Sequence, residues 1–224
     1  MGQNDLDKLS NVQIDERKPM SDDELKKRLG GLPFASGDTV HLSKIDYALK
    51  KLMIGVGWDI PGIDNNGIDV DFSIFLLDKN DQTREDSDFI FYNNLTGENG
   101  AVEHLGDNRT GAGDGDDERV LIDLNALPFD ILKIIFVISI YDAEMRDQNI
   151  TALKNLFIRL VNVDTEIELL RFPIKELSEN KLSSALIAGE LVREGPTWLF
   201  TARGDVTSES LGKIATQHGI MVTG

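Results

Sequence analysis

Along most of this chain the apolar residues fall in short runs, not helical stripes. Thr39-Val40-His41-Leu42 alternates, and Leu52 to Trp58 is apolar up to Asp59. Val70 to Leu77 forms a run ended by Asp78-Lys79-Asn80-Asp81, and Phe89-Ile90-Phe91-Tyr92 is short and aromatic. Val120 to Leu124, Leu156 to Val161 and Glu168 to Phe172 follow, the last two flanking a turn at Asp164-Thr165. Ile134 to Tyr141 is nearly all apolar, which predicts a strand buried on both faces. Ser184 to Leu191 and Trp198 to Ala202 flank another turn at Glu194-Gly195-Pro196. Ten short strands with frequent turn signals predict an all-β fold, an antiparallel two-sheet β-sandwich with a few short helices. The helical patterns are Leu127 to Leu132, Met145 to Lys154 and Ser208 to His218. Asp142 is expected to cap the start of the second.

Residues 1–35 read differently. They hold seven acidic and six basic residues with scattered apolar ones. Ser21-Asp22-Asp23-Glu24 is a capping box, followed by Leu25, Leu29 and Leu32 at roughly helical spacing. The expectation is an N-terminal extension, partly helical or disordered, then one β-sandwich domain over residues 36–224.

Charge changes this picture. The 224 residues carry a formal net charge of −16. That balance disfavours nucleic acid and anionic membrane, both of which repel it. No apolar run approaches the ~20 residues of a spanning helix, and no basic-then-apolar leader precedes the first strand, so a cytoplasmic location is expected. There is no cysteine, hence no disulfide, thiolate nucleophile or cysteine metal site. The acidity is partly local. Residues 59–71 and 106–118 each carry −4, so two short segments hold half of the −16.

The second segment, Gly106-Asp107-Asn108-Arg109-Thr110-Gly111-Ala112-Gly113-Asp114-Gly115-Asp116-Asp117-Glu118, combines flexible glycines with a high density of oxygen donors. Hard oxygen donors at this density suit Ca²⁺, which takes six to eight oxygens in adaptable geometry, better than Mg²⁺. Two carboxylates ~5 Å apart at an effective dielectric of ~20 repel by roughly 3 kcal/mol, so a compact loop of this composition calls for a cation. In the first segment Asp69 and Asp71 share one side of an incipient strand. Asp59 ends the preceding strand, and pairing of these two strands would turn all three carboxylates toward one cavity with the glycine loop. No EF-hand, phosphate loop, HExxH or nucleophile elbow fits. His104 reads as a surface residue.

Taken in order, Gly55-Val56-Gly57-Trp58-Asp59, Asp69-Val70-Asp71-Phe72-Ser73, Phe91-Tyr92-Asn93-Asn94, the glycine–aspartate block, Asp142-Ala143-Glu144, Gln148-Asn149 and Phe157 to Asn162 resemble the TerD domain family of tellurite-resistance and stress-response proteins. The resemblance runs from about residue 36 to 224. It implies a two-sheet β-sandwich that binds Ca²⁺, as two ions, through the acidic block. The residues it assigns to the metal are Asp69, Asp71, Asp107, Asn108, Asp114, Asp116, Asp117 and Glu118; Asp59 joins them from the strand pattern. It implies a non-catalytic module acting by Ca²⁺-dependent association with protein partners of a stress-response complex. The alternative it leaves open is a small-ligand sensor or enzyme, a cyclic nucleotide being the ligand described for some members.

Overall fold

Side-chain alternation along the strands decides which residues meet. The computed structural model describes residues 34–60, 67–106, 115–175, 177 and 183–221. The expected helix after Ser21 lies outside them. The first sheet runs β1 (Thr39–His41), β12 (Thr197–Thr207), β11 (Ala185–Glu194), β8 (Lys133–Ile140), β3 (Val70–Leu77), β4 (Phe89–Ile90). The second runs β10 (Ile167–Pro173), β9 (Lys154–Asn162), β2 (Lys51–Asp59), β7 (Glu118–Asp123), β6 (Val102–His104), β5 (Thr96–Gly97). All pairings are antiparallel. This is the expected β-sandwich. The sequence pattern missed β5 and β6, because strands of two and three residues carry too little alternation to register.

The main core lies between the sheets. Leu52, Ile54, Val56 and Trp58 of β2 pack there with Phe72, Ile74 and Leu76 of β3 and Ile134, Phe136 and Ile138 of β8. The opposite parity of β3 and β8 builds a second cluster on the outer face: Phe75, Leu77, Ile135 and Val137 meet Ile214, Ala215 and Ile220. Helix α2 (Leu211–Gln217) supplies that cover, and the Ser210 hydroxyl caps it by accepting from Lys213 N. β8 is thus buried on both sides, as its composition predicts. A short helix α1 (Leu42–Ile45) follows β1, so Leu42 is helical and not in the strand. Leu127–Leu132 forms turns in place of the expected helix. Met145–Lys154 forms a turn and a short 3-10 segment, Ile150–Ala152, instead of a helix. Asp142 sits at φ 51°, a left-handed turn conformation incompatible with capping a helix start.

β2 and β3 do not pair; they belong to different sheets. The reason is that both are core strands whose neighbours are already chosen: β2 lies between β7 and β9, and β3 between β8 and β4. The starts of β3 and β7 nevertheless meet. β4 covers only Ile74 and Phe75 of β3. The Phe72 backbone is met instead from the second sheet, where Glu118 and His104 reach its N–H and C=O.

Candidate metal centre

The ends of β2 and β8 and the starts of β3 and β7 share one edge of the sandwich, and most candidate residues lie on them. Their side chains diverge. On β2 the outward positions include Gly55, Gly57 and Asp59, the inward ones Val56 and Trp58. The chain returns at Gly115-Asp116-Asp117, where Asp117 N donates to Val56 O at 2.8 Å. Asp117 Oδ2 in turn accepts from Trp58 N at 2.7 Å. Burial pushes the Asp117 carboxyl up; the Trp58 N–H pulls it down, and the neighbouring charges of Asp59 and Asp116 push it up again.

Asp116 lies on the outer face of the sheet. Arg159 of β9 donates to it through Nε at 2.6 Å and Nη2 at 2.7 Å. The carboxylate lies flat over Gly55, where a Cβ would come within 2.5 Å of both its oxygens. Gly57 is needed for the same reason, since a Cβ there would stand 2.5 Å from the Phe157 ring. Arg159 also donates to Glu168 at 2.9 Å, and its own proton is held more tightly than usual, chiefly by the Asp116 hydrogen bonds.

Glu118, two residues on, faces the interior. It is 2% exposed, with Oε2 accepting from Phe72 N at 3.0 Å and lying 3.2 Å from His104 Nε2. His104 is 4% exposed, not the surface residue expected from sequence. Gly106 N donates to its Nδ1 at 3.2 Å, which leaves Nε2 as the nitrogen carrying the proton toward Glu118 and the Phe72 carbonyl.

Asp69 and Asp71 form a separate group at the start of β3. Asp69 O accepts from Tyr141 N at 2.8 Å, and Asp71, 7% exposed, stands opposite Ser139 of β8. The hydroxyls of Ser73 and Ser139, on the same outward parity, are buried with no hydrogen-bond partner among the described residues. Tyr92 and Tyr141 pack edge-on nearby, 6.4 Å between ring centres. Burial pushes the Tyr92 phenol up, and the charges of Asp71, Asp142 and Asp69 add to it. Asp59 ends β2 on the exposed face and accepts from Asn155.

The pairing of β2 and β3 expected to turn Asp59, Asp69 and Asp71 toward one cavity does not form. The charges of Asp59 and Asp116 act on Asp117 beside β2, and those of Asp71, Asp142 and Asp69 act on Tyr92 beside β3. Asp107, Asn108 and Asp114 lie outside the described residues. Among the described residues, no group of three His, Asp or Glu side chains is close enough to hold a metal ion. Sequence reasoning missed Arg159, His104 and Tyr92 as parts of this end of the molecule. Only Arg159 left a signal, as a charged residue inside the apolar run Leu156 to Val161.

Beside Asp59, a cleft of about 1230 Å³ opens at the ends of β9 and β10. Lys154, Arg171 and Lys175 line it, with Asn155 and Phe157. No helix among the described residues is long and apolar enough to cross a membrane.

The TerD domain model matches residues 31–218, which include every candidate residue named above. The chain belongs to the TerD domain family. General stress protein 16U of Bacillus subtilis (strain 168) is 45% identical over 192 residues, 85% of this chain and 98% of that one. Tellurium resistance protein TerD of Serratia marcescens is 44% identical over 186 residues, 83% of this chain and 96% of that one. Among solved structures, a homologue of telluride resistance protein (TerD) from Streptomyces coelicolor A3(2) superposes with a TM-score of 0.57 at 17% identity. It covers 73% of this TerD-family chain and 92% of its own, a likeness of fold. The relatives carry the names of resistance and stress proteins, so the family to which this chain belongs is one of tellurium-resistance and stress-response proteins.

Proposed function

We propose that this TerD-family protein is a non-catalytic, cytoplasmic Ca²⁺-binding module of a tellurium-resistance or stress-response system. In this reading two ions enter the acidic edge and prepare it for Ca²⁺-dependent association with protein partners of that system. The supporting observation is Asp117. It is a carboxylate pushed up by burial, with like charges at Asp59 and Asp116, at the stem of the glycine-rich loop. A hard cation relieves that repulsion. The donors are also of the right kind: carboxylates, with buried hydroxyls at Ser73 and Ser139 beside Asp71 that have no hydrogen-bond partner among the described residues, and no cysteine in the chain. Asp59 and Asp117 are the residues to hold an ion on the β2 side, and Asp69 and Asp71 on the β3 side. Asp107, Asn108 and Asp114 are loop ligands by composition. Glu118 serves from within, through its tie to Phe72. With no thiol, any protection against tellurite is indirect.

Thermal unfolding in EGTA, in Ca²⁺ and in Mg²⁺ tests this. Ca²⁺ at about 100 times its Kd is expected to add ~2.7 kcal/mol by mass action. A midpoint that moves equally in Mg²⁺, or not at all, overturns the proposal.

Lys154, Arg171 and Lys175 outnumber the one acid, Asp147, in the lining of the cleft, which favours a second reading, a sensor of a small anionic ligand such as a cyclic nucleotide. Calorimetric titration of cyclic AMP with and without Ca²⁺ separates the two. Tight, metal-independent binding selects the sensor.

A further inference from the structure

Arg159 of β9 holds Asp116, at the end of the acidic loop. It engages both oxygens of Asp116 in a fork at 2.6 and 2.7 Å, and the Asp116 side chain is only 3% exposed. The arrangement is built into three strands. Gly55 of β2 stands opposite Arg159 of β9 and Arg119 of β7, and the absence of its side chain makes the recess that Asp116 fills. Glu168 of β10 accepts from Arg159 at 2.9 Å and from Arg171 at 2.9 and 3.1 Å. Arg171 lies over the Phe157 ring, 4.2 Å from its centre, and that ring rests on Gly57. Charges thus alternate in sign from Asp116 through Arg159 and Glu168 to Arg171.

We propose that Arg159 is a positioning residue of the acidic loop, a resident cation that takes Asp116 as its own partner and leaves the metal to other carboxylates. A guanidinium fork satisfies a carboxylate bidentately and in plane. A divalent ion on the same oxygens would have to displace that fork and would leave a half-buried guanidinium facing a metal of like charge. Pinning Asp116 to the outer face anchors the short turn that leads into β7, in which Asp117 reaches the Trp58 N–H and Glu118 enters the strand opposite Val56, facing the interior and the Phe72 N–H. Arg159 thereby fixes the direction in which the next two carboxylates point. The assignment removes Asp116 from the ligand set expected from sequence. The metal half of this inference rests on the calcium reading above; the strut itself does not.

The experiment has two arms on the full chain. In EGTA, urea unfolding of Asp116→Asn, Arg159→Gln and their double variant forms a double-mutant cycle. The expected result is that the double variant is no less stable than the weaker single one. Additive losses overturn the strut. In the second arm, Tb³⁺ emission sensitised by Trp58 and its displacement by Ca²⁺ report affinity. Asp116→Asn and Arg159→Gln are expected to weaken binding similarly, by about tenfold, as for residues that orient ligands. Arg159→Lys is expected to recover part of the loss, and Asp117→Asn to cost more than either. If Asp116→Asn costs as much as Asp117→Asn while Arg159→Gln binds as well as wild type or better, Asp116 is a ligand and the proposal fails. Absence of Tb³⁺ and Ca²⁺ binding to the wild type overturns the calcium reading and the metal half of the inference, leaving the cycle in EGTA to decide the strut.

Discussion

Two glycines and a glutamate carry much of the logic at the scale of single residues. Gly55 and Gly57 hold no unusual dihedral; they are small because Asp116 and Phe157 occupy the space a Cβ would take. Gly55→Ala is expected to destabilise by ~1–3 kcal/mol, the usual cost of forcing an atom into filled space. Urea unfolding in EGTA measures it, and a neutral effect would mean that Asp116 is held less firmly than the geometry implies. At Glu168, burial alone would raise the carboxyl, but hydrogen bonds from Arg171 and Arg159 outweigh it and hold the group below the ordinary glutamate range. A carboxylate with a depressed folded value stabilises the fold above its unfolded value and loses that contribution as pH falls through the folded one. The stability gap between wild type and Glu168→Gln is therefore expected to be full at neutral pH. It should close as the medium is acidified below the normal glutamate value. A gap independent of pH would contradict the ion-pair account.

Elements meet through groups that a strand pattern does not display. The main tie between the sheets at the acidic edge is Glu118 of β7, whose carboxylate accepts from the Phe72 N–H of β3 at 3.0 Å. Glu118→Ala leaves a buried donor without its acceptor, and a loss of about 1–3 kcal/mol is expected in chemical denaturation. Stability within a few tenths of wild type would show that the sheets are held there by apolar packing alone. On the other side of β3, helix α2 closes the second cluster over Phe75 and Leu77. Its seven residues are too few to be stable alone, so packing and the Ser210 cap hold it. Ser210→Ala is expected to cost about 0.5–2 kcal/mol. Faster amide exchange confined to residues 211–217 would place the loss in α2.

The whole molecule is a two-sheet sandwich whose sequence concentrates its acidity in two short segments. A formal −16 spread evenly would be a solubility device. Half of it instead flanks the starts of β3 and β7, where both sheets contribute carboxylates. In the calcium reading Asp117, beside β2 of one sheet, and Asp71, on β3 of the other, are taken as ligands of different ions. Titration of Ca²⁺ into the full chain is expected to show two binding events, with Asp71→Asn removing one and Asp117→Asn the other. Loss of both events in either variant would point to one shared site.

The β-sandwich was legible in the sequence because strand parity and turn residues are local properties. Ile134 to Tyr141 shows burial on both faces before any partner is known, and Glu194-Gly195-Pro196 marks the β11–β12 turn. The glycine–aspartate block likewise declares its chemistry and family through composition and order alone. Which strands are neighbours depends on contacts between residues far apart in the chain, and no local pattern encodes them. So the sequence could nominate Asp59, Asp69, Asp71 and Asp116 without saying that β2 and β3 would be placed in different sheets. Nor could it say that Asp116 would meet an arginine 43 residues away. The density of oxygen donors was set by residue type; that Asp116 pairs with Arg159, Glu118 is buried against Phe72 and Asp117 meets the Trp58 N–H was set by packing.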